Sequence, residues 1–226
     1  MDDNISNTVE FYNENHRPVF TGFRNSTYTT FDYLRQNFNF LIMSLNCRSF
    51  LSKKDDLFYI LENNNNISIL SLCETWQFDV NTHLDNFEIH SNTRSGKKGG
   101  GLAVFCRDTL KSKAHPNLNI SKPHIEALTI SYTSENRNKI LISIYRPPNP
   151  PHAENIRKFY SDLQIIINKV KNEFNDADIE ITGDFNLNLY HDSTKDRFIN
   201  FTTLNSLNIP MDAKMITIEA QNTILR

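Results

Sequence analysis

The chain has 226 residues, of which 38% are hydrophobic, 11% aromatic and 22% charged, enough apolar material for one large domain with a short extension. A formal net charge of −2 and a pI near 6.4 exclude a basic tail or a histone-like polycation, while leaving room for a local positive groove. The three cysteines, Cys47, Cys73 and Cys106, lie far apart inside apolar runs; they form no zinc spacing or disulfide framework and fit a reducing intracellular compartment.

Residues 1–37 carry Asn, Ser, Thr and scattered aromatics without sustained periodicity, so a poorly ordered N-terminal extension is expected there. Its opening, MDDNISNTVEFYNENHRPVF, is too acidic and polar for a secretory signal. No apolar run approaches the ~20 residues of a membrane span, and no membrane partner is expected. From Phe38 the texture changes, and NFNFLIMSLN reads as a buried strand. Ser52 precedes KKDDLFYILENN, whose Leu57, Phe58, Ile60 and Leu61 share one helical face, and Ser52 with Asp55 has the pattern of a capping box. ISILSLCETW is a β-branched, apolar strand ending abruptly at Glu74. Asn86–His90 is a short strand, SGKKGGG a tight turn and LAVFCR the strand that follows it. IEALTISYT and KILISIYRPP, separated by the polar SENRN, form a hairpin stopped by two prolines. From Ala153 to about Asn172, the positions Ile156, Phe159, Leu163, Ile166, Ile167 and Val170 make one helical stripe. DIEITG is a strand running into Gly183-Asp184, and Lys195–Leu207 a helix with Phe198, Ile199, Phe201 and Leu204 inward. Helices alternate with strands, but a hairpin intervenes. The expected fold class is therefore α/β, with two mixed β-sheets packed face to face and helices outside.

Polar residues recur where these apolar strands end: Asn46, Glu74, Tyr145, and Asp184 with Asn186. Strand ends that share one rim of a sheet are a common place for a functional site. Carboxylates, carboxamides and a phenol are hard oxygen donors, suited to Mg²⁺ or Mn²⁺ rather than zinc. Singly, each of these residues reads as a loop former or helix cap, so the inference depends on the whole constellation.

Taken in order, SLNCRSFLSKKDDL, SLCETW, GGGLAVF, IEALTI, ISIYRPPN and ITGDFN resemble the successive motifs of the endonuclease/exonuclease/phosphatase family. In particular they resemble its apurinic/apyrimidinic-type branch, the endonuclease domain of LINE (non-LTR) retrotransposons, over about Phe40–Asn208. The resemblance implies a four-layered α/β sandwich and a Mg²⁺-dependent phosphodiester hydrolase that nicks DNA and leaves a 3′-hydroxyl. By the same resemblance, Glu74 binds the metal and Asn46 sits beside it and orients ligands. Asp184 positions or deprotonates the attacking water, Asn186 hydrogen-bonds water and phosphate, and Tyr145 donates to a phosphate oxygen. The partner expected is DNA and the location intracellular, nuclear where chromosomal DNA is the target.

The family's later Ser-x-Ile-Asp and Asp-His motifs have no counterpart here; MITIEAQNTILR resembles the stretch just before the first of them. The expectation is thus a C-terminally truncated domain over residues 38–226, short of its last strands. The alternative is a catalytically dead remnant that binds nucleic acid or a protein without turnover. A third reading keeps the fold and changes the substrate to a phosphoinositide or sphingomyelin headgroup, against which the YRPP and CETW forms argue. Among the remaining residues, Arg146 fits a nucleic-acid backbone contact and a solvated arginine equally. Trp76 reads as core or rim packing, and His191 as a loop histidine. Arg94, Lys97, Lys98 and Lys111 form a basic cluster that is solvated surface unless phosphates meet it.

Overall fold

The computed structural model describes residues 10–12, 18–21, 39–94, 99–148, 153–187, 192–205 and 207. The first sheet contains β1 (Glu10–Tyr12), β2 (Pro18–Thr21), β3 (Leu41–Asn46), β4 (Ile67–Cys73), β5 (Phe87–Asn92) and β6 (Leu102–Arg107), in the order β2-β1-β3-β4-β6-β5. The second contains β7 (Lys113–Ala114), β8 (Ile120–Lys122), β9 (Ile125–Ser134), β10 (Arg137–Tyr145) and β11 (Asp178–Asp184), in the order β11-β10-β9-β7, with β8 also paired to β9. Helix α1 (Lys54–Asn63) links the parallel pair β3 and β4. Helix α2 (Ala153–Glu173) links the parallel pair β10 and β11, and α3 (Asp192–Leu204) follows. Two short strands from the segment expected as an extension thus add to the edge of β3.

Three apolar clusters give the molecule four layers. On the outer face of the first sheet, Leu41, Met43, Leu70, Leu72 and Phe105 meet Leu57 and Leu61 of α1. Between the sheets lie Ile69, Cys73 and Val104 from one and Leu128, Ile130 and Leu141 from the other. On the outer face of the second sheet, Ile140, Ile142 and Ile144 pack against Phe159, Leu163 and Ile167 of α2 and Phe198 of α3. The alternation along β10, even residues to the helices and Leu141 to the facing sheet, is the two-residue period of a strand. Every residue of β4 is buried, as its unbroken apolar run requires. The four-layered α/β sandwich that the motifs implied is therefore the architecture of the chain. Among the described residues, no helix is long and apolar enough to cross a membrane.

Polar bonds between the sheets fix how one lies on the other. The Ser71 and Ser143 hydroxyls are 2.7 Å apart in the buried interface, and the Cys73 thiol donates to the Ile144 carbonyl at 3.4 Å. Asn92 Nδ2 donates to the carbonyls of Ile120 (3.0 Å) and Ala127 (2.9 Å). Because β4 and β10 both run into functional candidates, this cross-sheet register decides where Glu74 sits relative to Tyr145. The hairpin turn is made by Glu135 and Asn136, both left-handed (φ +52° and +60°), the pair of positive angles a type I′ turn requires.

Local expectations fail in two places. The capping box is not formed: Lys53 is the N-cap without a side-chain bond, and the Ser52 hydroxyl instead donates to Ser49 O at 3.0 Å. In α3 the apolar stripe is narrower than its sequence suggests. Phe198 is buried, but Ile199 is 41% and Leu204 84% exposed.

Candidate active site

Asn46, Tyr145 and Asp184 are the last residues of β3, β10 and β11, and Glu74 is the first beyond β4. Parallel pairing places Asn46 opposite Cys73 and Tyr145 opposite Asp184, so each pair ends at one rim, and the facing sheets bring the two rims together. The side chains then meet. Asn46 Nδ2 donates to Glu74 Oε1 at 3.0 Å and to Asp184 Oδ2 at 2.9 Å. Tyr145 Oη donates to the same Glu74 oxygen at 2.8 Å. A single amide nitrogen spans the two carboxylates, which consequently lie side by side at one shared rim. Asn186 joins through its backbone, whose N–H donates to Asp184 Oδ1 at 3.0 Å, while its side-chain amide donates to the Arg146 carbonyl at 2.7 Å.

The backbone carrying these groups is strained. Glu74 (φ +54°), Trp76 (φ +58°) and Asn186 (φ +46°) are left-handed non-glycine residues, a conformation that costs about 1 kcal/mol apiece and gathers where function over-determines the structure. Neighbouring loops hold it in place. Ser49 N–H donates to Glu74 O (2.9 Å) and Phe50 N–H to Thr75 O (3.2 Å) from one side. From the other side, the carbonyls of Gly101 and Gly100 accept from Thr75 N–H (3.2 Å) and Trp76 N–H (2.9 Å). The indole of Trp76, half-buried at the rim, points its N–H at Glu74 Oε2 across 3.4 Å, a long contact.

Arg146 is neither of the two things its sequence context suggested. It is only 8% exposed, and its guanidinium donates to Phe185 O (2.8 Å) and Asn186 O (2.6 Å) while lying over the Phe159 ring. It clamps the loop that follows β11 and so helps hold Asp184 and Asn186. Among the basic residues, Arg94 pairs with the buried Glu126. Lys111 is exposed beyond a short 3-10 turn, and Lys97, Lys98 and His191 lie outside the described residues. Gly99, Gly100 and Gly101 make the tight turn expected of them, with φ of +94°, +74° and +87°.

Electrostatics separate the roles of the cleft residues. Burial is the largest influence on Asp184 and pushes its carboxyl above the usual aspartate range; the bonds from Asn46 and the Asn186 N–H pull it back, and the Glu74 charge pushes it up again. Burial, followed by the hydrogen bond to Glu74, pushes the Tyr145 hydroxyl upward, so it stays a protonated donor at neutral pH. Burial pushes the nearby Cys47 thiol up to about 12, which leaves it a poor metal ligand. The available donors are thus all oxygens. Among the described residues, no three His, Cys, Asp or Glu gather to hold a metal. Glu74 and Asp184 are the carboxylates that would hold a divalent cation here; Asn46 turns its nitrogen to both, and its carbonyl oxygen accepts from the Arg48 N–H at 3.3 Å.

Sequence reasoning counted IEALTI among the motifs but gave its Glu126 no site role; Glu126 sits at this rim opposite Tyr145 in the β9–β10 register. Its one visible signal was a charged residue inside the otherwise apolar IEALTI strand.

Comparison with known proteins adds to this geometry. The family profile described as the Endonuclease/Exonuclease/phosphatase family matches residues 43–206. The fold is similar to the endonuclease domain of TRAS1, a telomere-specific non-LTR retrotransposon, with a TM-score of 0.58 and 14% identity over 76% of this chain and 75% of that one. It is also similar to truncated TDP2 of Caenorhabditis elegans, with a TM-score of 0.50 and 17% identity over 68% of this chain and 63% of that one. No curated protein matches the sequence.

Proposed function

The chain belongs to the endonuclease/exonuclease/phosphatase family, and on that premise we propose that it is a Mg²⁺-dependent phosphodiester hydrolase that nicks DNA, as the endonuclease of a non-LTR retrotransposon does. The observation that carries the reading is the network in which Asn46 Nδ2 spans Glu74 and Asp184 while Tyr145 donates to the same Glu74 oxygen. The fold likeness to the TRAS1 domain is what favours DNA as the substrate.

In this reading Glu74 holds the cation with help from Asn46. The ion, when bound, supplies Lewis-acid stabilisation to a phosphate oxygen. Asp184 accepts the proton of the attacking water at its carboxylate and orients it for in-line attack. The protonated hydroxyl of Tyr145 donates to a phosphate oxygen as charge develops there. Asn186, beside Asp184, exchanges its bond to the Arg146 carbonyl for one to water and phosphate. Asn46 damps the repulsion between the two carboxylates and keeps both aimed into the cleft. Hydrolysis leaves a 3′-hydroxyl, and action on chromosomal DNA would place the protein in the nucleus.

The test is nicking of a supercoiled plasmid. Conversion to open circles is expected in Mg²⁺, with a loss of at least about 100-fold in EDTA and recovery on adding back Mg²⁺ or Mn²⁺. Nicking that survives EDTA would refute the metal assignment. Plasmid binding without any nicking would favour a non-catalytic binding module.

A further inference from the structure

Glu126, the second residue of β9, is 1% exposed. A carboxylate at that depth must be held by specific partners. Its Oε2 accepts from the Gly101 N–H at 2.6 Å. Its Oε1 lies 3.2 Å from Arg94 Nε, with the geometry of an ion pair rather than an aligned hydrogen bond.

Gly101 and Gly100 are the residues whose carbonyls hold Thr75 and Trp76, the two that directly follow Glu74. The turn is wedged in place. A Cβ on Gly100 would lie 2.4 Å from Glu126 Oε1, and one on Gly101 would lie 2.7 Å from Thr75 Oγ1. The stretch 74–76, with two left-handed residues, is therefore gripped between the 49–50 loop and a glycine turn that is itself tied to Glu126.

We infer that Glu126 is a positioning residue for Glu74: its Oε2, by accepting from Gly101 N–H, pins the glycine turn that keeps Glu74 aimed into the cleft. Glu126 touches no reacting atom; it acts through Gly100 and Gly101. The inference rests on the proposed role of Glu74 for its catalytic consequence, but not for its structural one.

Two conservative variants separate this role from a charge role. Glu126→Gln keeps an acceptor oxygen at the same reach and drops the charge. Glu126→Asp keeps the charge and withdraws the acceptor by one methylene. Trp76, the single tryptophan of the chain, sits inside the grip and reports on it by acrylamide quenching of its emission. For Glu126→Asp the expectation is a fall in kcat of about 10-fold or more with KM within about twofold, together with a Trp76 quenching constant raised about twofold. Glu126→Gln should stay within about threefold of wild-type kcat and keep wild-type quenching.

A Gln variant that loses as much as the Asp variant, or more, overturns the inference in favour of a charge role. Wild-type kcat and quenching in both variants overturn it as well. Should Glu126→Asp fail to fold, the folded Gln variant decides: near-wild-type quenching and kcat support the acceptor role, and a loss beyond 10-fold contradicts it. A wild type that does not nick defeats the proposed function, and the quenching comparison then decides the inference alone.

Discussion

Asp184→Asn is expected to lower Mg²⁺-supported nicking by about 10²–10⁴-fold, the range for removing a positioned general base, and at pH 7 in EDTA to melt at a higher temperature than wild type. The first effect follows from geometry. Asp184 Oδ2 shares the Asn46 amide with Glu74, and Oδ1 is braced by the Asn186 N–H, so this carboxylate is held in one orientation, as the proposed base must be. The second follows from burial, which is the largest influence on Asp184 and raises its pKa above the unfolded value. A carboxyl shifted in that direction costs folding stability when ionised. The cost is complete above the folded-state pKa, shrinks as the pH falls, and is absent below the unfolded value of about 3.9. Asparagine carries no such cost, so the gain in Tm should be present at pH 7 and vanish below about pH 3.9. Thermal melts followed by circular dichroism, with and without EDTA, measure all of this. A folded Asp184→Asn that nicks within 10-fold of wild type would remove Asp184 from the chemistry. A lower Tm at pH 7 in EDTA would mean that the bonds from Asn46 and Asn186 outweigh burial.

Gly183→Ala should be the most damaging of the small substitutions. Gly183 has φ +129°, which an L side chain rarely adopts, and a Cβ there would lie 1.9 Å from the Ile144 carbonyl oxygen. That atom is backbone in the penultimate pair of a parallel ladder, where β10 and β11 are in register from Lys139–Asp178 to Tyr145–Asp184. It has no rotamer to escape into, so the strands must part just before Tyr145 and Asp184. A cost of about 3 kcal/mol or more is expected, corresponding to a Tm lowered by roughly 6–12 °C for a domain of this size. Nicking should fall with it, because the separation occurs at the residues that close the cleft. A Gly183→Ala protein with wild-type Tm would show that β10 and β11 do not approach so closely at this point.

Much of the architecture was readable because burial and period coincide. β4 and β10 are buried strands with unambiguous apolar runs, and α2 presents a full stripe to Ile140, Ile142 and Ile144. The cleft was readable for a related reason: parallel strands end at the same rim, so polar residues closing β3, β4, β10 and β11 had to be neighbours once the sheets faced each other. What escaped was set by tertiary contact. β7 and β8 are two and three residues long and exist only through pairing with β9. The Ser71–Ser143 bond joins residues 72 apart in the chain, and nothing local to either serine announces it. Arg146 looked like surface because arginines usually are; its burial depends on Phe159 and on the carbonyls of a loop 40 residues away. Ser52 had the sequence of a cap, but a nearer carbonyl, that of Ser49, took its hydroxyl. Glu126 was passed over because its importance lies in what it holds, a glycine turn 25 residues upstream.

On the proposed function, Glu74 and Asp184 work as one unit on one phosphodiester. Plasmid-nicking rates for Glu74→Ala, Asp184→Ala and the double variant, each shown to be folded, test it most directly. Groups that act together do not lose activity additively. Each single variant should fall by about 10²-fold or more, and the double variant should be no more than about 10-fold worse than the weaker of the two. Losses that multiply in the double variant, or a folded Glu74→Ala that nicks at the wild-type rate, would contradict the account.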